Sequence, residues 1–158
     1  MLLFAHLGLA LLIARPFKRV DPAFLAVGSM LPDIIDKPLG FMLFGTMNHG
    51  RILAHTLLFL LVLAALAVSI RDIRLVSLAA GVLIHLSLDF MWDSPVILLW
   101  PLLGSFPPTD YLDAAGYLQM LLLGLRDPGV LVPECLGLAY LIYFAFESHG
   151  INSERSMS

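Results

Sequence analysis

Polar residues are scarce along this chain, and their positions divide it into helices. Apolar runs cover residues 2–14, 22–31, 51–70, 73–92, 111–125 and 130–146, and each is read as a helix. The longest uninterrupted stretch spans residues 52–70, with only His55 and Thr56 polar before Ser69. Its length matches the roughly 20 residues that cross a hydrocarbon core. Pro16 and Pro22 bracket the first loop, and Pro22 suits the first turn of the second helix. Arg71-Asp72-Ile73-Arg74 predicts a tight polar turn, Asp93-Ser94-Pro95 ends the fourth helix, and Arg126-Asp127-Pro128-Gly129 separates the last two. The first two helices would cover only about 20 and 15 Å, too short to span alone, so they form a half-buried hairpin or extend beyond the apolar pattern. Residues 96–103, broken at Pro101, read as a re-entrant or interfacial piece. No linker or repeat divides the chain. The expectation is one domain over residues 1–146 and a polar tail over 147–158.

Composition turns this helical pattern into a membrane reading. Of 158 residues, 59% are hydrophobic and 13% charged, with a mean hydropathy of +0.92. Soluble domains have about 45–50% apolar and about 25% charged residues. A single domain of this size cannot hide so much apolar surface, so lipid must cover part of it. The expected fold class is all-α, a multi-helix integral membrane bundle. A net charge of −3 and a pI near 5.9 leave no basic surface for nucleic acid. The lone Cys135 excludes an intramolecular disulfide and a CxxC site, so any metal is held by nitrogen and oxygen. Basic residues follow the first apolar run (Arg15, Lys18, Arg19) instead of preceding it. That is the wrong order for a cleavable signal, and a retained first helix is expected.

His85 and Asp89 stand at i and i+4 in Leu83-Ile84-His85-Leu86-Ser87-Leu88-Asp89-Phe90, on one face of a helix. A carboxylate among leucines is costly unless it finds a partner. His6, Asp33, Asp36 and His55 also interrupt apolar stretches. Each alone has a plainer explanation, such as a capping Asp or a core His bonded to a carbonyl. Together they point elsewhere. Folding the first four helices up and down brings all six to one end of the bundle and the basic loops 15–19 and 71–74 to the other. The positive-inside rule puts those loops in the cytoplasm of an inner-membrane, multi-pass protein and the polar cluster on the extracytoplasmic side. Lys37 and Arg51 at the cluster end run against that rule.

Imidazole and carboxylate suit Zn²⁺, Mn²⁺ or Fe²⁺. Catalytic zinc takes about three protein ligands and an open position, so six candidates accommodate one or two ions, with Asp89 as the natural bridge. The expected ligands are His6, Asp33, His55, His85 and Asp89. Asp36 either orients a ligand His, acts as general base, or caps the chain before Lys37-Pro38. Arg51 either clamps a phosphate or snorkels to the interface. His49 is a loop His or a proton shuttle, and Asp93 is near the site or a turn residue. Trp92 and Trp100 suit an aromatic belt. Glu147 and His149 lie at the cluster end or in a disordered tail. No serine-nucleophile motif, P-loop or GxGxxG occurs.

The succession His6, Leu31-Pro32-Asp33-Ile34-Ile35-Asp36, Arg51 with His55-Thr56, His85-x-x-x-Asp89 and Trp100-Pro101 resembles the membrane-bound metal-dependent hydrolases. That group includes an SOS-induced inner-membrane member and the domain-of-unknown-function 457 proteins. The resemblance covers about residues 1–104; the last third carries no matching motif. The same residue order is similar to zinc-dependent phospholipase C. That likeness implies one zinc on Asp33, His55, His85 and Asp89 and a second touching His6 and Asp89. No His-x-x-x-Glu pattern follows Asp89 to complete a third site.

The function expected from this reading is a membrane-embedded metal-dependent hydrolase. It would cleave a phosphoester in a lipid or small amphiphile with a metal-activated water. The alternative is a metal-binding transporter or sensor without hydrolysis, for which ionisable residues near mid-membrane are the usual sign. The plainest alternative is a structural membrane protein whose polar residues pair only with one another.

Overall fold

The computed structural model describes residues 3–46 and 50–156, with side chains as far as 147. The described residues form helices and loops without strands. A π-helical turn, Ala5–Leu9, runs directly into α1 (Ala10–Ala14). There follow α2 (Pro22–Phe44), α3 (Leu57–Ile70) and α4 (Ile73–Leu88). A 3₁₀ turn (Met91–Asp93), the short α5 (Pro95–Leu98), α6 (Ala114–Gly124) and α7 (Pro128–Ser156) complete the chain.

Local chemistry sets most of these boundaries. Asp21 accepts the N–H groups of Ala23 and Phe24 at 3.0 and 3.2 Å, and Pro22 needs no partner at the first helical position. Thr56, Asp72 and Asp113 cap α3, α4 and α6 in the same way. Gly45, at φ +68°, closes α2 in the left-handed conformation that glycine adopts without a Cβ penalty.

Several boundaries differ from the apolar pattern: α4 ends at Leu88 instead of 92, α6 begins at Ala114 instead of 111, and three others differ for reasons visible in the structure. The second helix does not stop at residue 31 but continues through Pro32 and Pro38 to Phe44. Each internal proline forgoes one helical hydrogen bond. Here the first half of α2, from Leu25 to Ser29, packs on α4, and further along Asp36 ties it to residues 52–55. The third helix begins at Leu57, because the N–H groups of Ile52, Ala54 and His55 turn to the Asp36 carboxylate instead of to a helix. The last helix runs past Glu147, where the polar tail was expected.

The close contacts are made by small residues. A Cβ built on Gly28 of α2 would overlap the Leu78 carbonyl of α4, and one on Gly81 would overlap the Leu25 carbonyl. Gly8 and Gly137 bring the first helix and α7 together in the same manner. Such small-residue contacts let helix backbones approach where large apolar side chains cannot mediate. Ser77 adds a polar tie, donating to the Ile73 carbonyl and accepting the Asp21 N–H.

Two apolar clusters frame the site. One joins Ala10, Leu11, Ala14, Leu25 and Tyr140 at the end that carries Arg15. The other joins Val82, Leu86 and Met91 beneath α3. α7 runs parallel to the first helix: Glu134 meets Phe4 and Ala5, and Glu147 meets Arg15 at 3.1 Å. Glu147 therefore lies at the basic end, away from the polar cluster. Among the described residues one helical stretch, Pro128–Glu147, is long and apolar enough to cross a bilayer by itself, and little of it is buried.

Candidate metal centre

The site grows from four elements. The π-turn supplies His6, α2 supplies Asp33 and Asp36, the segment before α3 supplies Arg51 and His55, and the end of α4 supplies His85 and Asp89. Asp33 and Asp36 stand at i and i+3 inside α2, on one face, because the helix continues past Pro32. α2 then overhangs the site by about two turns with Phe41, Met42, Leu43 and Phe44 exposed.

His6, His55, His85 and Asp36 are completely buried. His85 Nδ1 lies 2.7 Å from the Ser29 carbonyl oxygen, which can only accept, so Nδ1 carries the proton. His55 Nδ1 lies 2.8 Å from Asp36 Oδ2 and donates in the same way. Both rings thus turn Nε2 lone pairs inward, and these two atoms face each other at 3.2 Å. Two facing lone pairs repel; a cation between them, proton or metal, relieves this. Asp33 Oδ1 lies 3.8 Å and Asp89 Oδ2 3.9 Å from His55 Nε2. Bonds of about 2.0–2.1 Å to a tetrahedral zinc place ligand atoms about 3.3–3.4 Å apart, close to this spacing.

The donors form two overlapping groups, Asp33/His55/His85 and His6/His85/Asp89. His6 Nε2 is 3.1 Å from Asp89 Oδ1, and its ring stacks on His85 at 4.1 Å between centroids. Two partly exposed cations pair with the carboxylates of the cluster. Arg51 Nη2 meets Asp89 Oδ2 at 2.8 Å, and Lys37 Nζ meets Asp33 Oδ2 at 2.8 Å. Arg51 is 44% exposed, whereas Asp89 is 5% exposed, so the guanidinium stands between the buried ligands and the outside.

Asp36 has another position. Its two oxygens receive the N–H groups of Ile52 (2.8 Å), Ala54 (2.9 Å) and His55 (3.1 Å) together with His55 Nδ1. It lies behind His55 and holds it. All seven ligand and catalytic candidates are therefore gathered at one place. His49 lies outside the described residues. Trp92 and Trp100 lie on the loop side of α4, where Trp92 is exposed and contacts Phe90.

Sequence reasoning missed two participants. The Ser29 carbonyl carries no side-chain signal. Glu134 did carry one: an acid inside the apolar Val132-Pro133-Glu134-Cys135-Leu136, the same sign that singled out Asp89. It is 6% exposed and accepts the Phe4 and Ala5 N–H groups.

Residues 1–150 match the family model of the YdjM inner membrane protein. The chain belongs to this family. No curated protein and no solved structure matches it. The expected membership among the membrane-bound metal-dependent hydrolases, and the likeness to zinc-dependent phospholipase C, are corrected by this match: the family shown is the YdjM inner membrane protein, and no hydrolase or phospholipase C family is shown. The quoted motifs were short, and a His and Asp at i, i+4 recur wherever a helix lines a polar site, so they do not discriminate between families. The YdjM match extends across α7, including the part of the chain that carried no recognised motif.

Proposed function

We propose that this YdjM-family protein is a multi-pass, metal-dependent hydrolase of the inner membrane, acting on a phosphoester at headgroup level. The observation that carries the reading is the pair of inward Nε2 atoms of His55 and His85, 3.2 Å apart, each with its Nδ1 proton already engaged. That tautomer, fixed by an acceptor behind each ring, is the one a metal-ligating histidine needs.

Asp33, His55 and His85 offer three ligand atoms that would hold one zinc, the number a catalytic zinc takes from protein; Mn²⁺ and Fe²⁺ suit the same donors. His85 has one inward nitrogen and serves one ion. Asp89 has two oxygens, and with His6 it can reach a second. A bound divalent ion would lower the pKa of its water toward about 7 and offset charge on a phosphoryl oxygen. The chain's own residues do the rest. Asp36 and the Ser29 carbonyl orient the two imidazoles. Arg51 offers a planar fork that matches phosphate bidentately. The overhanging apolar end of α2 gives an amphiphile's tail a surface beside the site.

The membrane setting is supported by exposed large apolar side chains along α3, α6 and α7, including Val62, Val68, Leu122 and Leu136. The basic residues Arg15 and Arg74 sit at the opposite end from the centre, which supports an extracytoplasmic site under the positive-inside rule.

Elemental analysis of the detergent-purified full chain, beside His85→Ala and Asp89→Ala, tests the metal. One or two zinc or manganese ions per chain, lost in His85→Ala, followed by release of phosphate from phosphoester amphiphiles, is the expected result. Protein that takes up no ion on reconstitution overturns the reading. Metal without turnover on a phosphoester panel leaves a metal-binding membrane protein instead of a hydrolase.

A further inference from the structure

We infer that Glu134 is a positioning residue of the metal centre: from α7 it anchors the start of the first helix and so keeps His6 against Asp89 and His85. This rests on the metal-centre reading above.

A buried carboxylate in an apolar helix requires compensation. Glu134 finds it in a different helix, where Oε2 accepts the Phe4 N–H at 3.0 Å and Oε1 accepts the Ala5 N–H at 3.2 Å. Both N–H groups lie in the first turn of the described part of this helix, where the helix dipole favours an anion. The bonds end at Ala5, and His6 is the next residue. One turn further along α7, Gly137 lies against the Phe4 carbonyl and the Ala5 Cα, and its own carbonyl abuts Gly8. Any side chain at Gly8 or Gly137 would push the two backbones apart and lift the Glu134 carboxylate off its donors.

The held segment has an unusual backbone. Ala5–Leu9 is a π-turn, a feature that re-aims side chains and is frequent at functional sites. A helix this short is marginal without tertiary support. Glu134 and the glycine contact supply that support beside the residue that must aim its ring at Asp89. In this arrangement α7 serves the centre through the Glu134 carboxylate and the Gly137 backbone, both set against the backbone of the first helix.

The test measures Zn²⁺ affinity by chelator competition on the full chain in detergent for wild type, Glu134→Ala, His6→Ala and the double variant. Diethyl pyrocarbonate footprinting of each histidine runs in parallel and does not depend on metal. Expected are a loss of about 10–100-fold for Glu134→Ala, the usual range for groups that orient ligands, a comparable loss for His6→Ala, and no further loss in the double variant. Footprinting is expected to show His6 newly reactive in Glu134→Ala while His55 and His85 stay protected. Wild-type affinity with His6 still protected in Glu134→Ala overturns the inference. So does a Glu134→Ala loss that repeats in full on the His6→Ala background, since a general structural role is additive. Should Glu134→Ala expose all three histidines, Gly137→Ala replaces it, and exposure of all three again overturns the inference. Should wild type bind no zinc, the metal reading fails by itself, and selective exposure of His6 decides whether Glu134 holds it.

Discussion

Asp36 grips His55 twice through a single oxygen: Oδ2 accepts the backbone N–H at 3.1 Å and the Nδ1–H at 2.8 Å. One buried carboxylate thus fixes the position of the residue and the tautomer of its ring. Replacing Asp36 with Ala removes the acceptor from four donors, all buried. Each orphaned donor costs about 1–3 kcal/mol, so the variant is expected to lose several kcal/mol in total and its metal. Asp36→Asn keeps one acceptor oxygen and turns an N–H₂ toward the remaining donors. It should fold with a lowered Tm and bind zinc at least tenfold more weakly. Thermal melts with elemental analysis check both; an Asp36→Asn protein with native metal content would show that His55 needs no orientation.

Asp33, Asp36, His55, His85 and Asp89 were visible in the sequence because an ionisable group inside an apolar run must be paired. That argument is independent of the fold and finds each residue separately. What it left open was how the chain delivers them. The extent of α2 was hidden because Pro32 and Pro38 ordinarily end a helix; only packing on α4 and the bonds to Asp36 show why this one continues. The start of α3 was hidden because residues 51–56 are apolar enough to be helical, and their N–H groups are instead claimed by a carboxylate far away in sequence. The same paired-acid argument applied to Glu134 would have flagged it, but not its partners, which are backbone groups and carry no residue-type signal.

Arg51 meets Asp89 at 2.8 Å yet remains 44% exposed, placing it on the outer side of the buried ligands. Arg51→Gln and Arg51→Lys should both retain metal and lower phosphoester turnover by roughly 10²-fold, the range seen when one donor to a developing oxyanion is removed. Lysine should not rescue, since a point charge cannot reproduce the bidentate fork. Full activity in Arg51→Lys would reduce Arg51 to a simple counter-charge for Asp89.

The proposed orientation makes a separate prediction. Cys135 is the only cysteine, so a Cys135→Ser background allows single reporters. Ser105→Cys, exposed in the loop after α5, should react with a membrane-impermeant maleimide on intact spheroplasts. Lys18→Cys, in the basic loop, should react only after lysis. The reverse pattern would put the metal centre on the cytoplasmic side.

The crossing of α2 and α4 determines whether His85 reaches Ser29, and its glycines offer the most direct control over the centre from a distance. A methyl group on Gly81 would run into the Leu25 carbonyl and come within 2.7 Å of the Ser29 nitrogen, one residue's backbone away from the oxygen that holds His85 Nδ1. Gly28→Ala would strike the Leu78 carbonyl on the same crossing. Rigid backbone, not a flexible side chain, blocks both, so the helices must separate at a cost of about 1–3 kcal/mol. Gly124, at the end of α6, has nothing within 4 Å of its would-be Cβ. Gly124→Ala should be neutral or stabilise by up to about 1 kcal/mol through the unfolded chain. The prediction is therefore a contrast: Gly81→Ala lowers Tm and zinc affinity together, whereas Gly124→Ala lowers neither. If Gly81→Ala lowers Tm but leaves zinc affinity intact, the His85–Ser29 bond is dispensable for binding, and the inward tautomer of His85 must be held by the metal itself.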